Sequence, residues 1–363
     1  MEIFKANQQW ASRPADERFP SLDALYKATK AYASTAVEAH VDFSTLRAEA
    51  KDGEVVLVGK ENQPAKLTNW SFGQLAARAG APANYLSTLP ATLAVQNLNH
   101  GLKARATEGQ GADGANLLLH RNGGMLCRAI TTQQYERIWN WEVAERLLEL
   151  ESQGWEPARP DFNLRGDDFP SLYASDHDMF AFIRLGNQTV QQPTDAGRGL
   201  PPMYKGLIYW NGEVGERKIG AMKFLYNSMC GNHIIWGASE VVEFSARHVG
   251  NVANKLRDFE IEIKKYANES TSDVEAMITK AHRQVIASTK EEVLDFLFGK
   301  RTVGLTRKTL EAAYDAVIPE QDGDPKTVWG MVQGLTRHSQ TVPYADKRQD
   351  LDKASARIMR IAF

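Results

Sequence analysis

The sequence NLLLHRNGGMLCRAITTQQYERIWNWEVAERLLELESQG, residues 116–154, predicts a β-hairpin that leads directly into a helix. Two runs of β-favouring residues flank Arg121-Asn122-Gly123-Gly124, and Asn-Gly supplies the positive φ angles of a tight turn. Thr131, with Gln134 three residues later, predicts a capping box at the start of a helix that ends near Gly154. This unit predicts an α+β fold in which antiparallel hairpins pack against helices.

Two further hairpins are predicted on either side of this unit. Lys51-Asp52-Gly53 separates two short β-favouring runs in the N-terminal third. Residues 211–215, Asn-Gly-Glu-Val-Gly, separate the runs 203–210 and 218–226. Hairpins therefore recur through most of the first 246 residues.

The apolar spacing changes near Arg247, becomes helical and remains so to the end of the sequence. The sequence therefore predicts an α+β core domain over residues 1–246 and an all-helical C-terminal module over residues 247–363.

The composition limits the class of protein. The chain has 363 residues, 43 Lys and Arg against 45 Asp and Glu, and two cysteines. Two cysteines cannot build a disulfide framework or a four-thiolate zinc site. The N-terminus lacks a signal-peptide pattern, and no apolar run reaches the roughly 18 residues of a membrane span. A cytoplasmic protein with no membrane partner is expected.

The formal charge of −2 hides an uneven distribution. Residues 151–178 carry seven acidic residues against two arginines, whereas residues 198–250 carry six Lys or Arg against four acidic residues. The total excludes a uniformly basic surface but leaves room for one basic and one acidic patch.

Candidate metal ligands occur at three places. Asp176-His177-Asp178 groups suitable side chains, but neighbours on a strand point to opposite faces, so at most two could reach one ion. Two pairs, Cys230 with His233 and His40 with Asp42, are spaced along the sequence as metal ligands can be. Neither has a second pair of ligands nearby. We expect no metal and no cofactor, and a hydrolase that uses Asp176-His177-Asp178 remains an alternative.

The sequence contains no motif of a known catalytic class. There is no GxSxG nucleophile elbow, no Walker-type phosphate loop and no dinucleotide-binding fingerprint. The glycine-rich residues 109–114 open no helix after a strand and are expected to form a turn. The residues therefore support no enzyme class.

The third hairpin along the chain, formed by the runs 203–210 and 218–226, combines cations with aromatic residues, as single-strand nucleic-acid-binding proteins do. Lys205, Leu207 and Tyr209 share one predicted strand face, which would suit a binding groove, while the opposite face would suit a core. Aromatic residues in strands more often pack in cores, so this alternative stays open. The candidate nucleic-acid contacts are Lys205, Tyr209, Arg217, Lys218, Lys223, Arg121 and Arg128.

Residues 224–237, FLYNSMCGNHIIWG, together with 210–215, WNGEVG, resemble the phage/plasmid-like protein family, a domain of unknown function carried on mobile elements. Leu126-Cys127-Arg128-Ala129-Ile130 followed by Tyr135-Glu136-Arg137-Ile138 resembles the family's arginine-bearing strand and the helix after it. Gly334-Leu335-Thr336-Arg337 resembles a late helix motif, with Gly334-Leu335 in place of the more usual Asn-Ala.

This likeness extends from about Asn69 to Ala356, and Asn211-Gly212 departs from it by replacing Asn-Ser. The resemblance implies an α+β core and a role in the DNA metabolism of phages and plasmids, with a link to single-strand annealing. It supplies no catalytic residues.

The leading expectation is a non-enzymatic DNA-binding protein of a phage or plasmid that binds or anneals single strands in recombination or replication. The helical module after Arg247 would supply contacts for a homo-oligomer. The alternative is a protein-binding modulator of a host defence or replication enzyme, with the acidic stretch 151–178 as its contact surface.

Overall fold

A computed structural model gives the structure of residues 15–59, 63–107, 114–121, 123–159, 171–195, 198–199, 202–227, 232–234 and 244–339, and of positions 341, 351, 354–355 and 357–362. It contains antiparallel sheets, helices between them and a helical C-terminal region, which confirms the α+β fold. Cys230 and half of the segment 224–237, residues 228–231 and 235–237, lie outside the described residues.

The strands are, in chain order, β1 (Arg18–Phe19), β2 (Ala36–Val41), β3 (Arg47–Lys51), β4 (Glu54–Val58), β5 (Pro64–Leu67), β6 (Ala115–Arg121), β7 (Met125–Thr131), β8 (Trp155–Pro157), β9 (Leu172–Ala174), β10 (Met179–Val190), β11 (Thr194–Asp195), β12 (Arg198–Gly199), β13 (Met203–Asn211), β14 (Ile219–Asn227), β15 (Asn232–Ile234) and β16 (Phe244–Ala246).

The α-helices are α1 (Leu22–Ser34), α2 (Asn69–Ala79), α3 (Ala83–Leu86), α4 (Ala91–Thr107), α5 (Asn140–Glu151), α6 (Val252–Asn268), α7 (Ser272–Arg283), α8 (Lys290–Gly299), α9 (Arg307–Ala316), α10 (Pro319–Asp322) and α11 (Val328–Ser339).

A six-stranded sheet forms the N-terminal part, in the order β2-β6-β7-β5-β4-β3. Only the β5–β7 pair is parallel. The first predicted hairpin is β3–β4, and its turn has φ angles of 52° at Asp52 and 81° at Gly53. These positive angles are those that a two-residue hairpin turn requires. Helices α2 and α4 pack their apolar residues against one face of this sheet.

An eight-stranded antiparallel sheet forms the second layer, with the central order β1-β9-β10-β13-β14-β15. Strand β8 adds beside β10, and β16 adds beside β14. Helices α1, α5 and α6 contribute to the apolar core on one face, where Leu207 and Tyr209 of β13 meet Phe259 and Ile263 of α6. The predicted third hairpin is β13–β14, and the two strands pair continuously from Met203↔Asn227 to Trp210↔Gly220.

The C-terminal helices α7, α8, α9 and α11 have their own apolar core around the fully buried Trp329. Val190, Met203 and Leu225 of the eight-stranded sheet belong to the same cluster. The helical module therefore packs on the end of this sheet, while α6 packs on its face. The domain boundary at residue 246 remains a prediction.

The start of the helix after the second hairpin was predicted wrongly. Thr131 is the last residue of β7, where it pairs with Asn116, and α5 begins only at Asn140. The carboxylate of Glu142 accepts the backbone N–H of Trp139 at 2.9 Å, so Glu142 supports the helix start. Pairing with β6 therefore takes precedence over the local capping pattern at Thr131 and Gln134.

Among the described residues, no helix has the length and apolar character needed to cross a membrane.

Candidate functional site

The seven candidate nucleic-acid contacts lie in different environments. Arg121 and Lys218 are exposed, at the turns of the second and third hairpins. The other five make contacts within the protein, and Lys205, Tyr209 and Arg128 are buried. The structure therefore does not bring the seven side chains into one open groove.

Lys205 stabilises a helix end. Its side chain leaves β13 toward the C-terminus of α6, where Nζ donates to the carbonyl oxygens of Tyr266, at 3.1 Å, and Ala267, at 3.3 Å. Nζ also donates to the carbonyl oxygen of Glu269. Carbonyl groups at a helix C-terminus have no partner within the helix, so a buried ammonium satisfies them. Desolvation lowers the pKa of Lys205.

The face of β13 that was predicted to form a groove is covered by α6. The ring of Tyr209 packs edge-on against Phe259, with a centroid distance of 4.4 Å. Lys223 lies over the ring of Tyr266, at 4.5 Å from its centroid, and its Nζ pairs with Glu269 at 3.0 Å. The expectation of an open Lys205–Tyr209 face is therefore corrected, because both faces of this central strand contribute to cores.

Arg128 lies at a polar junction between the two sheets. Its Nη1 is 3.0 Å from Glu213 Oε2 in the loop between β13 and β14, and both side chains are almost completely buried. Its Nε donates to the carbonyl oxygen of Asp176 at 2.8 Å, and its guanidinium lies 4.5 Å from the ring centroid of Tyr32. We call His120, Arg128, Glu213 and Tyr32 the Arg128 junction.

The loop 212–218 is held in this junction by donors from two helices, α2 and α5. Trp70 Nε1 and Gln74 Nε2 donate to the carbonyl oxygen of Val214, at 3.0 and 2.8 Å. The backbone N–H of Asn140 donates to Glu213 Oε1 at 2.6 Å. These bonds connect the loop to α2 and to the start of α5, so the position of Glu213 is fixed from several sides.

Hydrogen-bond chemistry determines the tautomer of His120. Arg128 Nη1 lies 3.0 Å from His120 Nε2, and a guanidinium can only donate, so Nε2 accepts. Nδ1 then carries the proton and donates to Thr35 Oγ1 at 2.9 Å. Desolvation, together with the charges of Arg128 and Arg137, lowers the pKa of His120 to about 4. The imidazole is therefore neutral at pH 7.

A cavity of about 370 Å³ opens beside the Arg128 junction. Four carboxylate residues line it, Asp16, Glu17, Asp176 and Glu213, and the described lining contains no Lys or Arg. The lining also includes the hydroxyl-bearing side chains Thr29, Tyr32 and Ser175. A hydrogen bond from His177 lowers the pKa of Asp176, which therefore carries its charge at neutral pH. The described lining of the cavity is therefore acidic.

The turn between β9 and β10 contains the predicted Asp176-His177-Asp178 cluster. Asp176 Oδ1 lies 2.7 Å from His177 Nδ1. In the described part of the chain, one group of three side chains has metal-ligand spacing, and it combines His177 and Asp178 with Glu216 from the β13–β14 loop. Arg217 faces the same carboxylates, with Nη2 at 3.1 Å from Glu216 Oε1 and 3.6 Å from Asp178 Oδ2.

Sequence reasoning missed Glu213, His120 and Tyr32. Glu213 lies within the quoted segment 210–215, and this was the one indication of its importance. His120 and Tyr32 carry no such indication, because their ring contact, with centroids 4.5 Å apart, joins α1 to β6 across 88 residues of sequence.

Models of known protein families, characterised proteins and solved structures were all compared with the chain, and none of them matches it. The likeness to the phage/plasmid-like protein family therefore remains a prediction.

Proposed function

We propose that this chain is a protein-binding module whose acid-lined cavity receives a basic side chain of a partner. The observation that supports the proposal is the convergence of Asp16, Glu17, Asp176 and Glu213 on one cavity. Asp176 belongs to the acidic stretch 151–178, which is the contact surface in the alternative hypothesis of a protein that modulates a host enzyme.

Two of the four carboxylates are held in place before a ligand arrives. Glu213 accepts from Arg128 and from the backbone of Asn140, and Asp176 accepts from His177. Preorganised acceptors strengthen binding because little conformational entropy is lost when the ligand arrives. Arg128 offsets part of the negative charge of the cavity, because it pairs with Glu213. The carboxylates of the other lining residues favour a Lys or Arg side chain of a partner.

The test uses a fluorescein-labelled peptide with a central Arg flanked by uncharged residues, and the same peptide with Gln in that position. We expect the Arg peptide to bind at least 10-fold more tightly, a difference of about 1.4 kcal/mol. The double variant Asp16→Asn with Glu17→Gln should remove the preference for Arg. Asp23→Asn is the control, because Asp23 is exposed on α1 and pairs with Lys27.

Equal affinity for the two peptides would contradict this proposal. So would a double variant that still prefers the Arg peptide.

Single-strand DNA binding in phage or plasmid recombination or replication is our second proposed function. It is supported by the exposure of Arg121 and Lys218 on two hairpin turns. A homo-oligomer in the cytoplasm that holds a strand extended for annealing would fit this role. Two cations per chain form a small footprint, so several copies along one strand would be needed for affinity.

Fluorescence anisotropy with a labelled oligonucleotide at several salt concentrations tests this second function. Binding should weaken as salt rises, and Arg121→Ala with Lys218→Ala should weaken it further. Lys51→Ala, which changes an exposed cation of the β3–β4 hairpin, should leave it unchanged. Binding that is absent at low salt, or insensitive to salt, would exclude the proposed role.

A further inference from the structure

His177, Asp178 and Glu216 direct their ligand atoms toward one another. His177 Nε2 lies 3.8 Å from Asp178 Oδ2 and 3.7 Å from Glu216 Oε2. All three ligand atoms lie within 4.8 Å of one another. Because the residues come from two separate turns, β9–β10 and β13–β14, only the folded sheet brings them together.

The imidazole of His177 is oriented as in many metal sites. Its Nδ1 is hydrogen-bonded to Asp176 Oδ1, so Nδ1 carries a proton and Nε2 is the nitrogen that would bind an ion. A carboxylate on the remote nitrogen fixes the ring and raises its basicity toward a metal. Asp176 therefore acts as an orienting group, while Nε2 faces Asp178 and Glu216.

Carboxylates outnumber guanidinium groups in the described contacts of this cluster. The carboxylates of Asp176, Asp178 and Glu216 surround the imidazole of His177, and the guanidinium of Arg217 lies beside two of them. Asp178 is completely buried, and the side chain of Glu216 is 18% exposed. Carboxylates gathered around an imidazole are a donor set that favours a divalent cation between them.

We propose that His177 Nε2, Asp178 Oδ2 and Glu216 Oε2 bind a first-row divalent cation such as Zn²⁺ or Mn²⁺. One imidazole and two carboxylates form a ligand set that these ions accept, with water completing the coordination. Arg217 Nη2 is closest to the other oxygen of Glu216, Oε1, which leaves Oε2 directed at the histidine.

Metal–ligand bonds of about 2.1 Å place neighbouring ligand atoms about 3.0 to 3.4 Å apart. The observed separations of 3.7 and 3.8 Å therefore need to contract by a few tenths of an ångström. The separation between the carboxylate oxygens of Asp178 and Glu216, which is at most 4.8 Å, would also have to shorten when an ion binds. The site would lie next to the acid-lined cavity, because Asp176 and Ser175 line that cavity.

The test is titration calorimetry on full-length protein freed of metal by chelator, with Zn²⁺ and Mn²⁺ in separate experiments at pH 7.5. We expect one ion per chain, and at least 10-fold weaker binding in Glu216→Gln and in His177→Ala. His100→Ala is the control, because it removes an exposed imidazole from α4. Co²⁺ should also give a visible absorption band that disappears in Glu216→Gln.

The conservative Glu216→Gln variant keeps the experiment decisive if His177→Ala does not fold. Absence of binding would overturn the proposal. Binding that is equally strong in Glu216→Gln, or that does not saturate at one ion per chain, would indicate an adventitious ion only and would also overturn it.

Discussion

At the scale of single residues, the Arg128 junction shows how a buried charge is made tolerable. Arg128 has a carboxylate, a carbonyl oxygen and an imidazole nitrogen as acceptors, and an aromatic ring beneath it. A buried ion pair adds little net stability compared with apolar residues, but removal of one partner leaves a charge uncompensated. The junction therefore links β6 and β7 of the six-stranded sheet to the β13–β14 loop of the other sheet through groups that depend on one another.

We predict that Arg128→Met lowers the free energy of unfolding by about 3–5 kcal/mol, because Glu213 would remain buried without its cation. Arg47→Met is the matched control, since it breaks an exposed pair with Glu49 and should cost about 1 kcal/mol or less. Urea denaturation followed by circular dichroism measures both values. Equal effects of the two substitutions would contradict the structural role of the junction.

The neutral state of His120 gives the stability a pH dependence. Its pKa in the folded protein is about 4, below the ordinary 6.5, so the unfolded chain binds more protons between these values. Stability is therefore lost as the pH falls through this window. We predict a loss of about 2 kcal/mol from this residue between pH 7 and pH 5.

Urea denaturation at pH 7 and pH 5 tests this prediction, with His120→Asn for comparison. The variant should lose less stability between the two pH values than the original protein. An equal loss in both proteins would show that other groups cause the effect. Burial also lowers the pKa of His282 to about 4. Because His282 is present in both proteins, its contribution to the pH dependence cancels in the comparison.

At the scale of elements, α4 protects an open sheet edge. Strand β3 pairs with β4 on one side and forms the end of the six-stranded sheet on the other. The side chain of Asn99 accepts from the backbone N–H of Ala48 at 2.8 Å and donates to its carbonyl oxygen at 2.9 Å. One amide thus replaces the neighbouring strand at this residue, which blocks edge-to-edge pairing.

We predict that Asn99→Ala lowers stability by about 1–2 kcal/mol, because two backbone groups lose their partner. It should also increase self-association at high protein concentration. Asn97→Ala is the control on the same helix, since Asn97 is exposed and donates only to Leu93 O among the described contacts. Light scattering and urea denaturation measure the two effects, and identical behaviour of the variants would refute the edge role of Asn99.

At the scale of the whole molecule, the α+β part and the helical module share apolar surfaces. Helix α6 covers Leu207 and Tyr209, and the later helices cover Val190, Met203 and Leu225. We predict that a chain ending at residue 246 does not form a native core, because these surfaces would be open to water.

Such a chain should bind a hydrophobic dye and lack the near-ultraviolet circular dichroism of packed aromatic rings. The full-length protein, measured under the same conditions, is the reference. A cooperative unfolding transition in the shortened chain would show instead that residues 1–246 fold independently.

Local sequence determined the hairpins and several helix ends of this protein. Asp52 and Gly53 adopt the turn that only a few residue types allow, and Gly80 ends α2 in the left-handed conformation. The Thr289–Glu292 capping box at α8 is likewise formed within four residues. These features depend on φ preferences and short-range hydrogen bonds, which the order of residues along the chain specifies directly.

Tertiary structure alone decided what the charged residues do. The sequence shows Lys205 and Arg128 as cations on strands, but their partners lie 61 and 85 positions away. The same holds for Glu216, which folding places beside His177. Whether a charge faces solvent, ends a helix or lines a cavity depends on which distant elements pack against its strand, and no local pattern encodes that packing.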